Sequence, residues 1–256
     1  MSARLDGIGV VLTRPRGAAD RVRAELAREG ARVFLLPALE IEDIPLSTEV
    51  TRRLAALDRF ALAIFVSANA VEKGLAAVRR SGPWPRGLAV AAIGEATAQA
   101  LRNSGFDAVI SPHERHDSDA LLALARLQSV KGEDIIVFRG EGGRERLKEV
   151  LEARGARVAY AEVYRRVRAH ADPAPVVDAL ARGEVHAVSA LSAETLENFV
   201  DMIGAAAASR LATVALVVPH AAIASGAAAR RFARTVVSAH GAEGLADALA
   251  TLRVTT

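Results

Sequence analysis

Residues able to do chemistry gather where a short apolar run gives way to a helical pattern. Five junctions stand out: Thr13-Arg14-Pro15, Ser67-Ala68-Asn69, Gly94-Glu95-Ala96-Thr97, Arg139-Gly140-Glu141-Gly142-Gly143 and Ser192-Ala193-Glu194. A helix start offers free backbone N–H groups and favours a nearby anion by about 0.3–1 kcal/mol. Arg14, Ser67, Asn69, Gly94, Thr97, Arg139, Gly140, Gly142 and Ser192 are therefore the candidate binding residues. Guanidinium forks, hydroxyls and N–H groups converging from several junctions suit a ligand that bears many carboxylates. The same residues have ordinary uses, since serine and asparagine cap helices and glycine permits tight turns. A candidate of another kind is Tyr164, in an extended segment. A phenol keeps its proton at neutral pH and can pass it to a leaving oxygen, or it can simply pack its ring and wet its hydroxyl.

Other chemistries find less support. The chain has no cysteine, which excludes disulfides, thiolate metal sites and a cysteine nucleophile. His113, His116 and Asp117 have the spacing of a small metal cluster, but a polar loop gives the same letters, and no metal is expected. Gly140-Glu141-Gly142, with Glu162 further on, approaches a dinucleotide fingerprint. It lacks the third glycine and puts Glu141 in the phosphate path. No P-loop motif and no arguable Ser–His–Asp triad is present.

The net charge of +3 comes with 33 basic residues, all but three of them arginine, yet aromatics are only 4%. Without basic blocks interleaved with aromatics, nucleic-acid binding is not expected. No apolar run approaches the roughly 18–20 residues that cross a membrane. The opening residues enter a strand pattern at once, without a signal-peptide apolar region, so a cytoplasmic location is expected.

The elements that must position these residues alternate. Apolar strands are expected at 10–13, 33–36, 62–66, 88–93 and 108–110. Helices are expected at 18–29, 48–58, 70–80, 95–103 and 119–127. Continuous apolar strands between helices indicate parallel sheets covered on both faces, in an α/β fold of flavodoxin-like, doubly wound type. Two segments, 37–46 and 159–167, instead alternate apolar and polar residues as exposed extended structure does.

The pattern is doubled. Residues 10–33 and 135–158 align without a gap at an offset of 125, with identities that include Arg14/Arg139, Gly17/Gly142, Leu26/Leu151, Gly30/Gly155 and Val33/Val158. Ser67 faces Ser192 at the same offset, whereas Gly94 to Thr97 faces Pro219-His220-Ala221-Ala222. So long a period marks a duplicated domain rather than a solenoid. Two lobes that meet offer a preferred place for a ligand. Periodicity alone allows two sequential domains or a chain that crosses between them.

With VLTRP (11–15), FVSANAV (65–71), AIGEATAQAL (92–101), RGEGGRERL (139–147) and EVYRR (162–166) in this order and spacing, the chain resembles the uroporphyrinogen-III synthase family over essentially its whole length. The resemblance implies two flavodoxin-like domains with a crossing chain: 1–36 plus 169–256 in one, 48–158 in the other. It implies that 37–47 and 159–168 pair as a two-stranded linking ladder. It implies a hydro-lyase that cyclises hydroxymethylbilane with loss of water and inversion of the last pyrrole ring, through an azafulvene cation and a spirocyclic intermediate, without a cofactor. Tyr164 would be the acid, and the substrate's acetate and propionate arms would be the bound carboxylates. A monomer, in transient contact with the hydroxymethylbilane synthase that supplies the substrate, completes the expectation. The Pro219–Ala222 loop departs from the family's Gly-x-x-Thr junction. A non-catalytic two-lobed protein that binds or senses small anions is the alternative.

Overall fold

Each short apolar run does become a strand. In the computed structural model, residues 3–112, 117–239 and 241–252 are described. Their elements run β1 (Gly9–Leu12), α1 (Arg16–Arg28), β2 (Arg32–Leu35), β3 (Glu40–Asp43), α2 (Thr48–Ala55), β4 (Leu62–Phe65), α3 (Ala68–Ser81), β5 (Ala89–Ala92), α4 (Glu95–Asn103) and β6 (Val109–Ile110). They continue α5 (Ser118–Leu122), α6 (Ala125–Gln128), β7 (Asp134–Gly140), α7 (Arg146–Ala153), β8 (Arg157–Val167), α8 (Ala174–Ala181), β9 (Ala187–Ser189), α9 (Ala193–Ala208), β10 (Ala215–Val218), α10 (Ala221–Ala224), β11 (Arg234–Val237) and α11 (Gly241–Ala250). This is an α/β fold with parallel sheets.

The chain divides into two units: residues up to Glu40 together with those from Val167 onward, and residues Ile41–Arg166. The first unit holds a sheet of order β11-β10-β9-β1-β2, parallel throughout. The second holds β3-β8-β7-β4-β5-β6, parallel from β8 to β6. The duplication is reproduced to the residue. Val10 pairs with Val33 in one sheet, and Ile135 pairs with Val158 in the other, each at the 125-residue offset. Gly30 (φ +94°) and Gly155 (φ +86°) follow the matching helices α1 and α7 in the left-handed region that only glycine adopts without strain.

Alternation along the strands gives each sheet two cores. In the first unit Val11, Val188 and Leu216 face one core, with Leu36, Phe199 and Leu211. Val10, Leu12 and Val217 face the other, with Leu26 and Leu249. In the second unit Ala63, Phe65, Ile136 and Phe138 join Val71 and Leu75 of α3. Leu62, Ile64, Ile135 and Val137 join Leu121, Leu147 and Leu151. Each fully buried branched or aromatic side chain contributes roughly 1.5–3 kcal/mol, so the apolar strands are what commit both sheets to a two-faced burial.

Two expected elements differ. The helix expected over 119–127 is broken into α5 and α6, with Leu124 extended between them (φ −64°, ψ 139°). The carbonyl of Leu122 accepts from Gln128 Nε2 at 2.9 Å and from Arg154 Nη1 at 2.8 Å, which fixes that carbonyl outside a helical ladder. The extended segment at 159–167 is no separate element; it is the continuation of β8, which runs eleven residues.

Candidate active site

The C-terminal end of the second unit's sheet carries a cavity of about 410 Å³. In open parallel sheets this end is where ligands bind. Its walls include Val66, Ile93, Arg139, Gly140, Gly142, Gly143, Tyr160, Tyr164 and Arg166.

An irregularity in the ladder places Tyr164. Arg139 of β7 pairs with Glu162, but the next residue, Gly140, pairs with Tyr164 rather than Val163. Simple alternation would leave Tyr164 on the face of Tyr160. The one-residue slip sends it to the opposite face, into the core that contains Ala161 and Val163. That is also the face covered by α3. The Tyr164 hydroxyl reaches Ser67, at the N-terminus of that helix, with 3.0 Å between the oxygens. Ser67 Oγ in turn accepts from the backbone N–H of Ala70 at 3.0 Å, which caps α3. The rest of the tyrosine is buried, at 4% exposure.

The glycines of the loop after β7 have separate causes. A Cβ on Gly140 would lie 2.6 Å from Cε2 of Tyr164, so the ring sits where a side chain would be. Gly142 has φ +68° and turns the chain. A Cβ on Gly143 would lie 2.5 Å from Arg139 Nη2. The spacing that approached a dinucleotide fingerprint thus makes room for a tyrosine ring and a guanidinium. Glu162, the acid in that reading, lies across from Arg139 with 3.9 Å between Oε1 and Nε.

Arg139 lines the cavity, yet it is 4% exposed and its Nη1 and Nε donors are engaged by its own loop. Nη1 donates to Glu145 Oε1 at 3.0 Å and to the Arg144 carbonyl at 3.5 Å, and Nε donates to the Gly140 carbonyl at 3.3 Å. The guanidinium stacks 4.2 Å from the ring centre of Tyr160, a cation–π contact. Tyr160 donates its hydroxyl proton to Glu145 Oε2 at 2.9 Å. Burial, first, and then that hydrogen bond with the Glu145 charge raise the Tyr160 pKa above the ordinary phenol value. The Tyr160 hydrogen bond, joined by Arg139, holds Glu145 below the usual carboxylate range.

Of the other candidates in this unit, Asn69 lies in the first turn of α3, and Gly94 caps α4 with extended backbone (φ −172°). Thr97 is 4% exposed within α4. None of these three is among the residues lining the cavity, although Ile93, just before Gly94, is. Asp117 accepts from Ala120 N–H at 2.8 Å and caps α5. His113 and His116 lie outside the described residues. Tyr160 escaped the sequence reading, which singled out Tyr164 alone in a segment that holds two tyrosines. The available signal was its place in the repeat: Tyr160 stands where Leu35 stands in the first copy.

In the first unit Ser192 caps α9, accepting from Thr195 N–H at 3.1 Å and sharing a 2.8 Å hydrogen bond with the Thr195 hydroxyl. Arg14 lines a separate cavity of about 310 Å³ at the C-terminal ends of β9 and β10. His220 stands at the start of α10. Among the described residues no helix is long and apolar enough to cross a membrane.

Parallel sheets flanked by helices, with a cavity at the strand ends of the second unit, define an α/β protein. Comparison with known proteins narrows this. The family model described as uroporphyrinogen-III synthase HemD matches residues 20–249. The uroporphyrinogen-III synthase of Salmonella typhimurium is 37% identical over 172 residues, which cover 65% of this chain and 68% of that one. That of Escherichia coli is 30% identical over 197 residues, 77% of this chain and 80% of that one. Among solved structures, the uroporphyrinogen-III synthetase of Helicobacter pylori superposes with a TM-score of 0.62 at 14% identity, covering 96% of this chain and all of that one (100%). A mutant uroporphyrinogen III synthase of Thermus thermophilus gives 0.59 at 19% identity, covering 96% and 95%. These two likenesses are of fold. The chain belongs to the uroporphyrinogen-III synthase family.

Proposed function

We propose that this chain cyclises hydroxymethylbilane to uroporphyrinogen III, a step of tetrapyrrole biosynthesis, and that it does so as a hydro-lyase. The observation that carries the reading is the family match over residues 20–249. It favours a cyclising enzyme over a non-catalytic anion binder. Isomer analysis of the product formed from hydroxymethylbilane tests it.

In the proposed mechanism Tyr164 gives its proton to the substrate's hydroxymethyl oxygen. The C–O bond breaks, water leaves with both electrons of that bond, and an azafulvene cation remains. The cation is attacked by the terminal pyrrole ring; rearrangement through a spirocyclic intermediate inverts that ring, and loss of a proton restores aromaticity. The phenolate formed on Tyr164 is met by the Ser67 hydroxyl at 3.0 Å and by the N-terminus of the fourteen-residue helix α3. Both favour negative charge where it develops. A cavity of about 410 Å³ is at the small end for ligand sites and seats part of a tetrapyrrole around the departing hydroxyl. Positioning of the curled chain supplies much of the remaining acceleration.

The proposal retains Arg139, Gly140, Gly142 and Ser67 around the substrate, with Asn69, Gly94 and Thr97 shaping the helix starts beside it, and Arg14 and Ser192 serving in the other unit. The parallel strand order β8-β7-β4-β5-β6 matches the 2-1-3-4-5 order of flavodoxin-like sheets when the repeat is numbered from its first strand. The β3–β8 neighbourhood supports reading 37–47 and 159–168 as a ladder between two such domains. A cytoplasmic monomer that receives its substrate from hydroxymethylbilane synthase is part of the same proposal.

A further inference from the structure

One exposed acid serves two residues of the cavity wall. Glu145 accepts from Arg139 Nη1 on Oε1 at 3.0 Å and from the Tyr160 hydroxyl on Oε2 at 2.9 Å. Arg139 and Tyr160 line the cavity, whereas Glu145 does not. The guanidinium lies against the Tyr160 ring, and Lys148 Nζ stands 5.4 Å from the centre of the same ring. Glu162 is a second acid beside Arg139, at 3.9 Å. Two cations and two carboxylates leave this cluster neutral. Without the Glu145 charge it would be a net cation at the cavity wall.

The two faces of the sheet keep this cluster apart from the phenol of Tyr164. Phe138 and Tyr164 belong to the core covered by α3. Val137 and Tyr160 belong to the opposite core, and Arg139 stacks on that side. A phenolate on Tyr164 is met by Ser67, not by Arg139. The repeat ties the neutral cluster to the phenol. In the first copy Leu39 stands in place of Tyr164, Leu35 in place of Tyr160 and Asp20 in place of Glu145. Arg14, the equivalent of Arg139, forms no ion pair among the described residues, and burial lowers its pKa. The arginine is neutralised in the copy that carries the phenol.

We infer that Glu145 is a positioning residue for the cyclisation: it seats Arg139 against Tyr160 and cancels its charge, so that the cation formed in the cavity meets no uncompensated guanidinium. The inference rests on the proposed function. The bilane carries many carboxylates and gains positive charge as its hydroxyl leaves. An uncompensated Arg139 would stabilise the bound substrate more than the transition state, and turnover would slow.

The test is steady-state kinetics of the full chain with hydroxymethylbilane, with the type III product resolved. Glu145→Gln keeps the shape of the side chain and removes its charge. It should lower kcat and KM together by about tenfold, the effect of one charge about 12 Å away at an effective dielectric constant of about 20, and hold kcat/KM within about threefold. Adding Arg139→Gln to that variant removes both charges and should raise kcat again by about threefold or more. Lys148→Gln takes a cation from the same cluster and should raise kcat and KM, each by about threefold. Trp84 fluorescence verifies that each variant folds. A tenfold loss of kcat/KM in Glu145→Gln, or a double variant slower than Glu145→Gln, makes Glu145 merely structural and overturns the inference. Should Glu145→Gln not fold, Lys148→Gln decides, and an unchanged or lowered kcat there overturns it. Type III isomer formed at an unchanged kcat in Glu145→Gln overturns this role alone. An unsubstituted chain that forms only the type I isomer overturns the proposed function, and this role with it.

Discussion

The hydroxyl of Tyr164 lies 3.0 Å from Oγ of Ser67, two residues 97 apart in the chain. Ser67 already accepts the Ala70 N–H, so its own proton is free to turn toward the tyrosine oxygen, leaving the phenol proton for the cavity. Tyr164→Phe should therefore lower kcat by about 10²-fold, at the low end for loss of a general acid, with little change in thermal midpoint. Ser67→Ala should lower kcat less, by about tenfold, and cost about 1 kcal/mol through the lost helix cap. Steady-state kinetics with isomer-resolved product analysis, paired with urea denaturation, separates the two effects. Unchanged kinetics in Tyr164→Phe removes this tyrosine from the mechanism.

Gly140 and Gly142 should respond differently to the same substitution. Gly140→Ala drives a methyl group into the Tyr164 ring and should lower kcat by displacing it. Gly142→Ala meets open space but at φ +68°, so it should cost about 1 kcal/mol of stability and spare kcat. Equal kcat losses in the two variants would count against the ring as the reason for Gly140.

Arg139→Ala should destabilise the second unit. It strips Glu145, Glu162 and Tyr160 of their shared partner. Since both acids are half exposed, the expected loss is about 1–2 kcal/mol, below that for a fully buried pair. Arg139→Lys should recover little of it, because a lysine cannot fork and stack at once. The sole tryptophan, Trp84, is the reporter: its ring lies 5.0 Å from Phe106 and 6.3 Å from Phe65, within this unit's core. Denaturation curves that superpose on those of the unsubstituted protein would return Arg139 to direct ligand binding.

The fold was legible in the sequence to the extent that burial has a period. Val10 to Leu12 and Ile135 to Val137 read as strands because alternate residues enter opposite cores, and the repeat aligned them to the residue. The break between α5 and α6 was not legible. Leu121 to Leu127 are good helix formers, and only hydrogen bonds from Gln128 and the distant Arg154 take the Leu122 carbonyl. The slip after Arg139 was equally hidden. Alternation puts Tyr164 with Tyr160, and the reversal depends on Gly140 yielding its space to the ring. Arg139 was legible as a residue with chemistry, but not as one already satisfied, since Glu145 and Tyr160 meet it only through loop and strand geometry.

Acid should weaken the second unit in a set direction. Asp134 is held below the ordinary carboxylate value chiefly by its two hydrogen bonds from Arg157, at 2.6 and 2.7 Å, and Glu145 by that from Tyr160. With folded pKa values depressed, the unfolded chain binds more protons, so stability rises with pH. The contribution is complete above the unfolded values, near about pH 4, and is lost as pH falls through the folded ones. Asp134→Asn with Glu145→Gln should flatten the pH dependence of Trp84-monitored stability below about pH 4. An unchanged slope would assign the acid sensitivity to other carboxylates.

The most direct measurement is the isomer composition formed when the purified chain is given hydroxymethylbilane. Uroporphyrinogen III, formed faster than spontaneous ring closure and without an added cofactor, is the expected product. Uroporphyrinogen I alone, at the spontaneous rate, would contradict it.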